Sequence, residues 1–312
     1  MRRWFWAAWI LAVLVLSACT SQVVGAPNAD PQAVPRPKPD SAAELIGNAG
    51  TFDPCSLLDP AALAQFGTAE VPAQESYDYC WLKLPMSGAS VAVRFGLLEH
   101  GQPAQAREVE PVGVLRVFEQ SPVPDRCARY IVFSDNVTMA VSADTADSPG
   151  TTVSELCSVT EKAANVIAAN ISGRRVAHRA YPGTSFGPLD ACKAAVTSLG
   201  QIPGLAAAQV VDYPAHHQCR WGTATVPSLT VRYVLASPSS AANVRYETID
   251  GKQSGVYTVD IGGPTLCVAE VKGENRELAQ VIVRMAPGNA EVACSAVQVV
   301  AGEVWSKLPL TE

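Results

Sequence analysis

Gly183-Thr184-Ser185-Phe186-Gly187 matches G-x-S-x-G, the pentapeptide that presents a nucleophilic serine in many hydrolases. Asp212 and His216 or His217 follow it, in the order serine, acid, histidine. The residue types of an acyl-transfer triad are therefore present. That chemistry needs the serine on a sharp turn between a buried strand and a helix, beside donors for the oxyanion. Here the motif follows Arg179-Ala180-Tyr181-Pro182, which has no core-strand pattern, and it falls between the two halves of the chain. Nothing in the pattern forces the serine and the histidines together. We therefore expect Ser185 not to be catalytic and assign no catalytic residue; an extracytoplasmic serine hydrolase using Ser185 is the enzymatic alternative.

His216-His217-Gln218-Cys219 has the composition of a metal cluster. Cys219, however, belongs to a repeated cysteine pattern, and a disulfide sulfur is a poor metal ligand because ligation needs the thiolate. The matching position of the first half reads Asp78-Tyr79-Cys80, without histidine, so we expect a solvated loop and no metal. Glycine-rich phosphate loops are absent. Asp144 and Asp147 fall in apparent loops where solvation explains them, and no cofactor is implied.

Cysteine chemistry is far more informative. Met1-Arg2-Arg3 starts the chain positively, and Trp4 to Leu16 is uncharged and mostly apolar. This run falls short of the ~20 residues that span a bilayer and reads as a signal-peptide core. Leu16-Ser17-Ala18-Cys19 then forms a bacterial lipobox. A thiol is needed at that position to receive a diacylglyceryl group, and cleavage makes Cys19 the new N-terminus. Arg2-Arg3 also fits a twin-arginine signal, although the strongly apolar core favours general secretion. The expected location is the extracytoplasmic face of the cell membrane, anchored through lipidated Cys19.

Eight cysteines remain, an even number in an exported chain, where disulfides are the default. Cys55, Cys80, Cys127 and Cys157 recur with nearly the same intervals as Cys192, Cys219, Cys267 and Cys294. The chain thus reads as two copies of one domain. Four cysteines allow three pairings in each copy. Pairing first with second and third with fourth keeps every bridge inside a copy and ties a helix to a strand. That reading gives Cys55–Cys80, Cys127–Cys157, Cys192–Cys219 and Cys267–Cys294.

Local patterns outline each copy. Asp53-Pro54 and Asp59-Pro60 place an N-cap before a proline at the first helical position. Gly67, and Gly200 in the second copy, can end the short helices that follow. Val91, Val93, Phe95 and Leu97 alternate, as do Leu229, Val231, Tyr233 and Leu235, predicting half-buried strands. Further strands are expected over 114–118, 129–133, 137–141, 256–261, 266–271 and 280–285, with Ser134-Asp135-Asn136 as a turn. Thr152-Val153-Ser154-Glu155 is a capping box opening a closing helix. In the second copy Val292, Ala296, Val299, Val300 and Val304 have helical spacing. Trp81 and Trp221 are expected in the core beside the bridges. The fold class is α+β: two tandem disulfide-stapled domains, each an antiparallel sheet packed by N- and C-terminal helices.

The expected organisation is a signal peptide over 1–18, a Pro-rich tether over 19–50, a first domain over 51–171, a linker over 172–186 and a second domain over 187–312. Pro35-Arg36-Pro37-Lys38-Pro39 favours polyproline II geometry. Arg174, Arg175 and Arg179 form the basic cluster of the linker, either solvated or facing an acidic partner or an acidic face of the chain's own domains. The formal charge of −6 and the lack of a basic stripe exclude a nucleic-acid partner.

Asp53-Pro54-Cys55-Ser56-Leu57-Leu58, the Cys80-Trp81 or Cys219-Arg220-Trp221 strand and the closing cysteine helix together resemble an uncharacterised actinobacterial, largely mycobacterial, lipoprotein family with an Asp-Pro-Cys…Cys-x-Trp domain. The second copy departs at Asp190-Ala191-Cys192. A more distant similarity is to disulfide-bearing extracellular sensor domains of mycobacterial kinases. The resemblance implies the fold and cell-surface placement and carries no catalytic residue. The function expected is a non-enzymatic, lipid-anchored binding protein of the cell envelope for a protein, glycan or lipid. A carrier holding an apolar ligand between sheet and helices is a further alternative.

Overall fold

The computed structural model describes residues 40–309 except 87–88, 146–149, 224–225 and 261. Cys19, the signal segment, most of the Pro-rich stretch and Asp147 lie outside the described residues.

Two antiparallel sheets form the frame. The first holds β1 (Cys80–Met86), β2 (Ala89–His100), β3 (Ala106–Glu108), β4 (Arg116–Gln120), β5 (Arg126–Val132) and β6 (Val137–Thr145), in the order β1-β2-β6-β5-β4-β3. The second holds β7 (Val210–Asp212), β8 (Gln218–Trp221), β9 (Ser228–Leu235), β10 (Arg245–Ile249), β11 (Lys252–Asp260), β12 (Thr265–Lys272) and β13 (Glu277–Met285), in the order β10-β11-β12-β13-β9-β8-β7. With β7 set aside, the second order repeats the first. The short helix α1 (Ala42–Leu45) precedes copy one, and α2 (Val153–Ser172) closes it; α3 (Ala191–Ala194) and α4 (Ala290–Trp305) open and close copy two. Helix α2 crosses β5 and β6, and α4 crosses β12 and β13. The fold is therefore α+β in both copies.

Disulfides join Cys55 to Cys80, Cys127 to Cys157, Cys192 to Cys219 and Cys267 to Cys294. Each clips a helical turn to a strand below it. A bridge closing a loop of this size contributes roughly 3–4 kcal/mol by limiting the unfolded chain.

Local signals explain most elements. Asp53 and Asp190, each two residues before a cysteine, accept from the backbone N–H of Cys55 and Cys192 at 3.2 and 2.9 Å. Thr152 and Glu155 complete the capping box of α2. Asn136 adopts a left-handed φ of 61° in the β5–β6 turn, a conformation asparagine tolerates.

Four expectations shift. The alternation of β2 breaks at a bulge between Phe95 and Leu98, so Leu98, and not Leu97, enters the core. Gly96 makes this possible: its φ is +106°, and a Cβ there would stand 2.4 Å from the Cβ of Pro54. Helix α4 is rotated, with Ala293, Val297, Val300, Ala301 and Val304 buried and Val292 and Val299 exposed. Trp221 shares the inward face of Cys219, whereas Trp81, one residue after Cys80, takes the opposite face and is only half-buried, as period-two geometry requires. Gly200 lies inside the 3-10 turn Ser198–Gln201 and does not end a helix.

Residues 41–46, counted above with the tether, pack on copy one, where Leu45 and Ile46 are buried and the N–H of Ala42 donates to Asp135. The linker also folds back. Phe52 bridges His178, and Arg179 pairs with Asp53 at 2.8 Å, so one of the three clustered arginines faces an acid of its own chain. The described parts of both copies belong to one compact unit.

Glu303 on α4 fastens the opening of copy two. Its carboxylate accepts from the N–H groups of Val196, Thr197 and Ser198 and from Lys307 Nζ. Partial burial opposes ionisation, but the Thr197 and Ser198 donors outweigh it and hold the carboxyl down from 4.5 to about 2. A depressed carboxyl adds stability above its ordinary value and loses it as pH falls from about 4.5 to about 2. Glu303→Gln should therefore cost about 1–2 kcal/mol at neutral pH, after allowance for solvent screening. The difference from the parent protein should shrink across that acidic window in denaturant titrations.

Candidate functional site

The joint between the copies gathers the polar groups. Just before β1, residues 75–77 lie along the end of β9: Ser76 bridges Val234, and the N–H of Leu235 donates to Glu75 O at 3.2 Å. Strand β8 pairs with β9 only as far as Arg232, so copy one completes an edge that β8 leaves open. Tyr77 consequently enters the core of copy two.

Asp78 and His217 meet in this joint. His217 has no exposed surface, contrary to the solvated loop expected from sequence, while His216 beside it is exposed at a left-handed φ of 62°. His217 Nδ1 lies 2.5 Å from Asp78 Oδ1, and Nε2 lies 2.8 Å from the Gly187 carbonyl. A carbonyl only accepts, so Nε2 carries a hydrogen. The second proton then lies between Nδ1 and the carboxyl. On either side of that bond, the pair has zero net charge. The rings of Tyr77 and Tyr181 flank the imidazole at 4.9 and 6.4 Å between centroids.

Asp212 and His216 do not join this group. Asp212 lies on β7, half-exposed, 3.7 Å from His100. The carboxylate that engages His217 is Asp78 of the other copy, which sequence reasoning missed. A positional signal existed: each of the two residues stands two before the strand cysteine of its copy.

Ser185 is brought nearer to His217 than expected, since Gly187 touches both. Its N–H donates to Ser185 Oγ at 3.0 Å, and its carbonyl takes His217 Nε2. Yet His217 has no free lone pair directed at the serine. Ser185 is buried, and its hydroxyl donates to Glu277 Oε1, whose Oε2 accepts from the N–H of Phe186. Asn48, the matching residue of copy one, accepts in the same way from the N–H of Gly50. Both are side-chain-to-backbone turns of one type. The G-x-S-x-G segment is thus a clasp on the β12–β13 turn, tightened by Thr184 Oγ1 donating to Glu274. Burial, then Glu277, also drive the Tyr77 hydroxyl far above its usual range.

A cleft of about 510 Å³ opens on the other side of the joint. Copy one lines it with Glu75, Ser76, Asp78, Tyr79 and Leu97, and copy two with Gln218, Arg232, Gln280 and Arg276, among others. The floor is a cross-strand row on the face of the second sheet turned away from α4. Gln218 stands opposite Arg232, Arg232 opposite Gln280, and Gln280 opposite Glu270. Arg232 Nε donates to Gln280 Oε1 at 2.7 Å, and Gln280 Nε2 donates to Glu270 Oε2 at 3.0 Å. Tyr257 and the N–H of Ser239 also donate to Glu270. Burial, then Glu270, push the Tyr257 hydroxyl up to about 12, and burial lowers the Arg232 guanidinium.

The layer between each sheet and its helices is filled. Val91, Val93, Met139, Leu156 and Ile167 in copy one have no exposed surface, nor have Val231, Val281, Val297 and Val300 in copy two. Side chains therefore occupy the place where an apolar cargo would sit. Among the described residues, no cluster of three or more histidine, cysteine or acidic side chains is arranged to hold a metal ion. No described helix is long and apolar enough to cross a membrane.

No family model and no curated protein matches the chain. Two solved structures align over most of it. One is DynU16, from the dynemicin biosynthetic locus: 12% identity, 87% of this chain and 95% of that one, TM-score 0.18. The other is the di-domain ARO/CYC protein StfQ of the steffimycin pathway: 11% identity, 86% and 89%, TM-score 0.17. At such TM-scores the backbones do not superpose, and neither likeness bears on function.

Two outcomes follow from the joint. Asp78→Ala leaves His217 Nδ1 buried without a partner and should cost about 2–4 kcal/mol, whereas Asp78→Asn supplies an amide donor to a neutral ring and should cost less than half of that. Thermal unfolding of both variants checks the order. A serine-reactive fluorophosphonate should leave the folded protein unmodified; labelling that disappears in Ser185→Ala would restore the hydrolase alternative.

Proposed function

We propose that this chain is a non-enzymatic, lipid-anchored binding protein of the extracytoplasmic membrane face, and that its ligand site is the cleft between the two copies. The observation that carries the binding reading is the cleft itself, with Arg232 and Gln280 on its floor and Tyr79 and Leu97 on its wall. It is a concave site between two rigid sheets with a few convergent polar groups, the usual form of a small-molecule site. Catalysis through Ser185 is disfavoured by its burial and by the engagement of its hydroxyl with Glu277. An apolar carrier is disfavoured by the filled space between sheets and helices.

Anchoring rests on Leu16-Ser17-Ala18-Cys19 and the short apolar segment before it. Membership of the actinobacterial lipoprotein family belongs to the same proposal and rests on the Asp53-Pro54-Cys55 start and the strand cysteines followed by tryptophan. The four disulfides suit an oxidising extracytoplasmic compartment.

Cys19→Ala should release the protein from the membrane fraction or leave it unprocessed; normal lipid labelling of that variant would refute the anchor. For the cleft, a photo-reactive residue at Leu97 on intact cells should gain a discrete small-molecule mass. The same residue at Val71, exposed and away from the cleft lining, should not. Equal adducts at both positions would refute the site.

A further inference from the structure

We propose that the cleft is an oxyanion site, built to take a ligand bearing a carboxylate or phosphate group, with Arg232 as its principal contact and Arg276 as a second cation at the rim. This rests on the cleft being the binding site, and it adds the chemical class of the ligand.

Arg232 emerges from β9 between the buried Val231 and Tyr233, on the opposite face of the strand. Its Nε is fixed by Gln280. Among the described residues, its two terminal nitrogens make no hydrogen bond and no carboxylate lies within ion-pair distance of them. The side chain is largely buried, and this loss of water works against its charge. A guanidinium held in this way has unused donors in a planar fork, the geometry that suits an oxyanion.

The acids nearby do not supply that partner. Glu270 lies one rung beyond Gln280, and Gln280, Tyr257 and Ser239 already engage it. Asp78 lines the cleft, but its bond with His217 leaves that pair neutral overall. Glu75 is exposed at the edge. The positive charge of Arg232 is therefore compensated only at a distance.

Arg276 is a separate observation. It is exposed and has a left-handed φ of 64°, directly after Asn275 at 47°. Arginine in that region is strained, and such backbone strain clusters at ligand sites. The turn that imposes it is pinned by the Ser185–Glu277 and Thr184–Glu274 bonds, and it brings Arg276 into the cleft lining. Among the described residues Arg276 has no ion-pair partner. Tyr79 on the wall and Gln218 on the floor add hydrogen-bonding groups.

Full-length acylated protein in nanodiscs can be titrated with inorganic phosphate and with acetate by calorimetry. At least one anion should bind saturably. Affinity should fall about ten-fold or more in Arg232→Gln, the loss expected for a charge-assisted contact. Arg276→Gln, on an exposed turn, should weaken binding by several-fold without changing the melting temperature. This second variant keeps the test valid if Arg232→Gln fails to fold. Binding by free phosphate or acetate marks a soluble ligand. Arg276-dependent binding of phosphatidylglycerol vesicles, with phosphatidylcholine vesicles inert, would assign the same contacts to a lipid headgroup. Unchanged affinity in Arg276→Gln and any folded Arg232→Gln, or no saturable binding of either anion or of the vesicles, overturns the oxyanion site. A Leu97 adduct lacking any acidic group would overturn it too, while leaving the cleft as the binding site.

Discussion

His217 is sealed from water with both ring nitrogens committed, and that constraint organises the joint between the copies. Nε2 must donate to the Gly187 carbonyl, so Nδ1 needs Asp78, and Asp78 belongs to the other copy. An unpartnered polar group in such a place would cost kilocalories. The two sheets are therefore held at one distance, with Tyr77 and Tyr181 filling the space around the ring. The cleft next to the joint inherits this rigidity. Its floor is fixed by a hydrogen-bonded row across four strands, and its wall by the residues that lead into β1.

The pseudo-repeat explains why the joint is asymmetric. Asp78 and His217 occupy matching positions, as do Asn48 and Ser185, and Asp53 and Asp190. The turn and cap pairs play the same part in both copies. Asp78 and His217 differ, an acid in one copy and an imidazole in the other, and they bond to each other across the joint as a complementary pair. The cleft is likewise one-sided: its cations, Arg232 and Arg276, come from copy two, and copy one contributes Glu75, Ser76, Asp78, Tyr79 and Leu97. Leu97 reaches it because the Gly96 bulge turns that residue out of the core.

Much of the frame was legible because it is written locally. The alternation of Leu229, Val231 and Tyr233, the Thr152–Glu155 box and the Asp53 cap are short-range signals, and the doubled cysteine spacing exposed the repeat. The shifted elements are those where tertiary contacts decide. Val297 could not be preferred over Val299 without knowing which face α4 turns to β12 and β13. Leu97 looked like a core residue until the glycine bulge is taken into account. The joint was least legible. Asp78 and His217 are far apart in the chain, and only their common position before a strand cysteine links them. Arg232 and Gln280 were hidden inside strands read for their apolar partners, where a polar residue on the outer face looks like ordinary solvation.

The central claim is that the two copies are one cooperative body with a fixed cleft between them. Scanning calorimetry of the oxidised protein tests it most directly. A single transition, with equal calorimetric and van't Hoff enthalpies, is the predicted result. Two resolved transitions, each carrying about half of the total enthalpy, would show copies that unfold independently and would contradict a joint rigid enough to define a binding site.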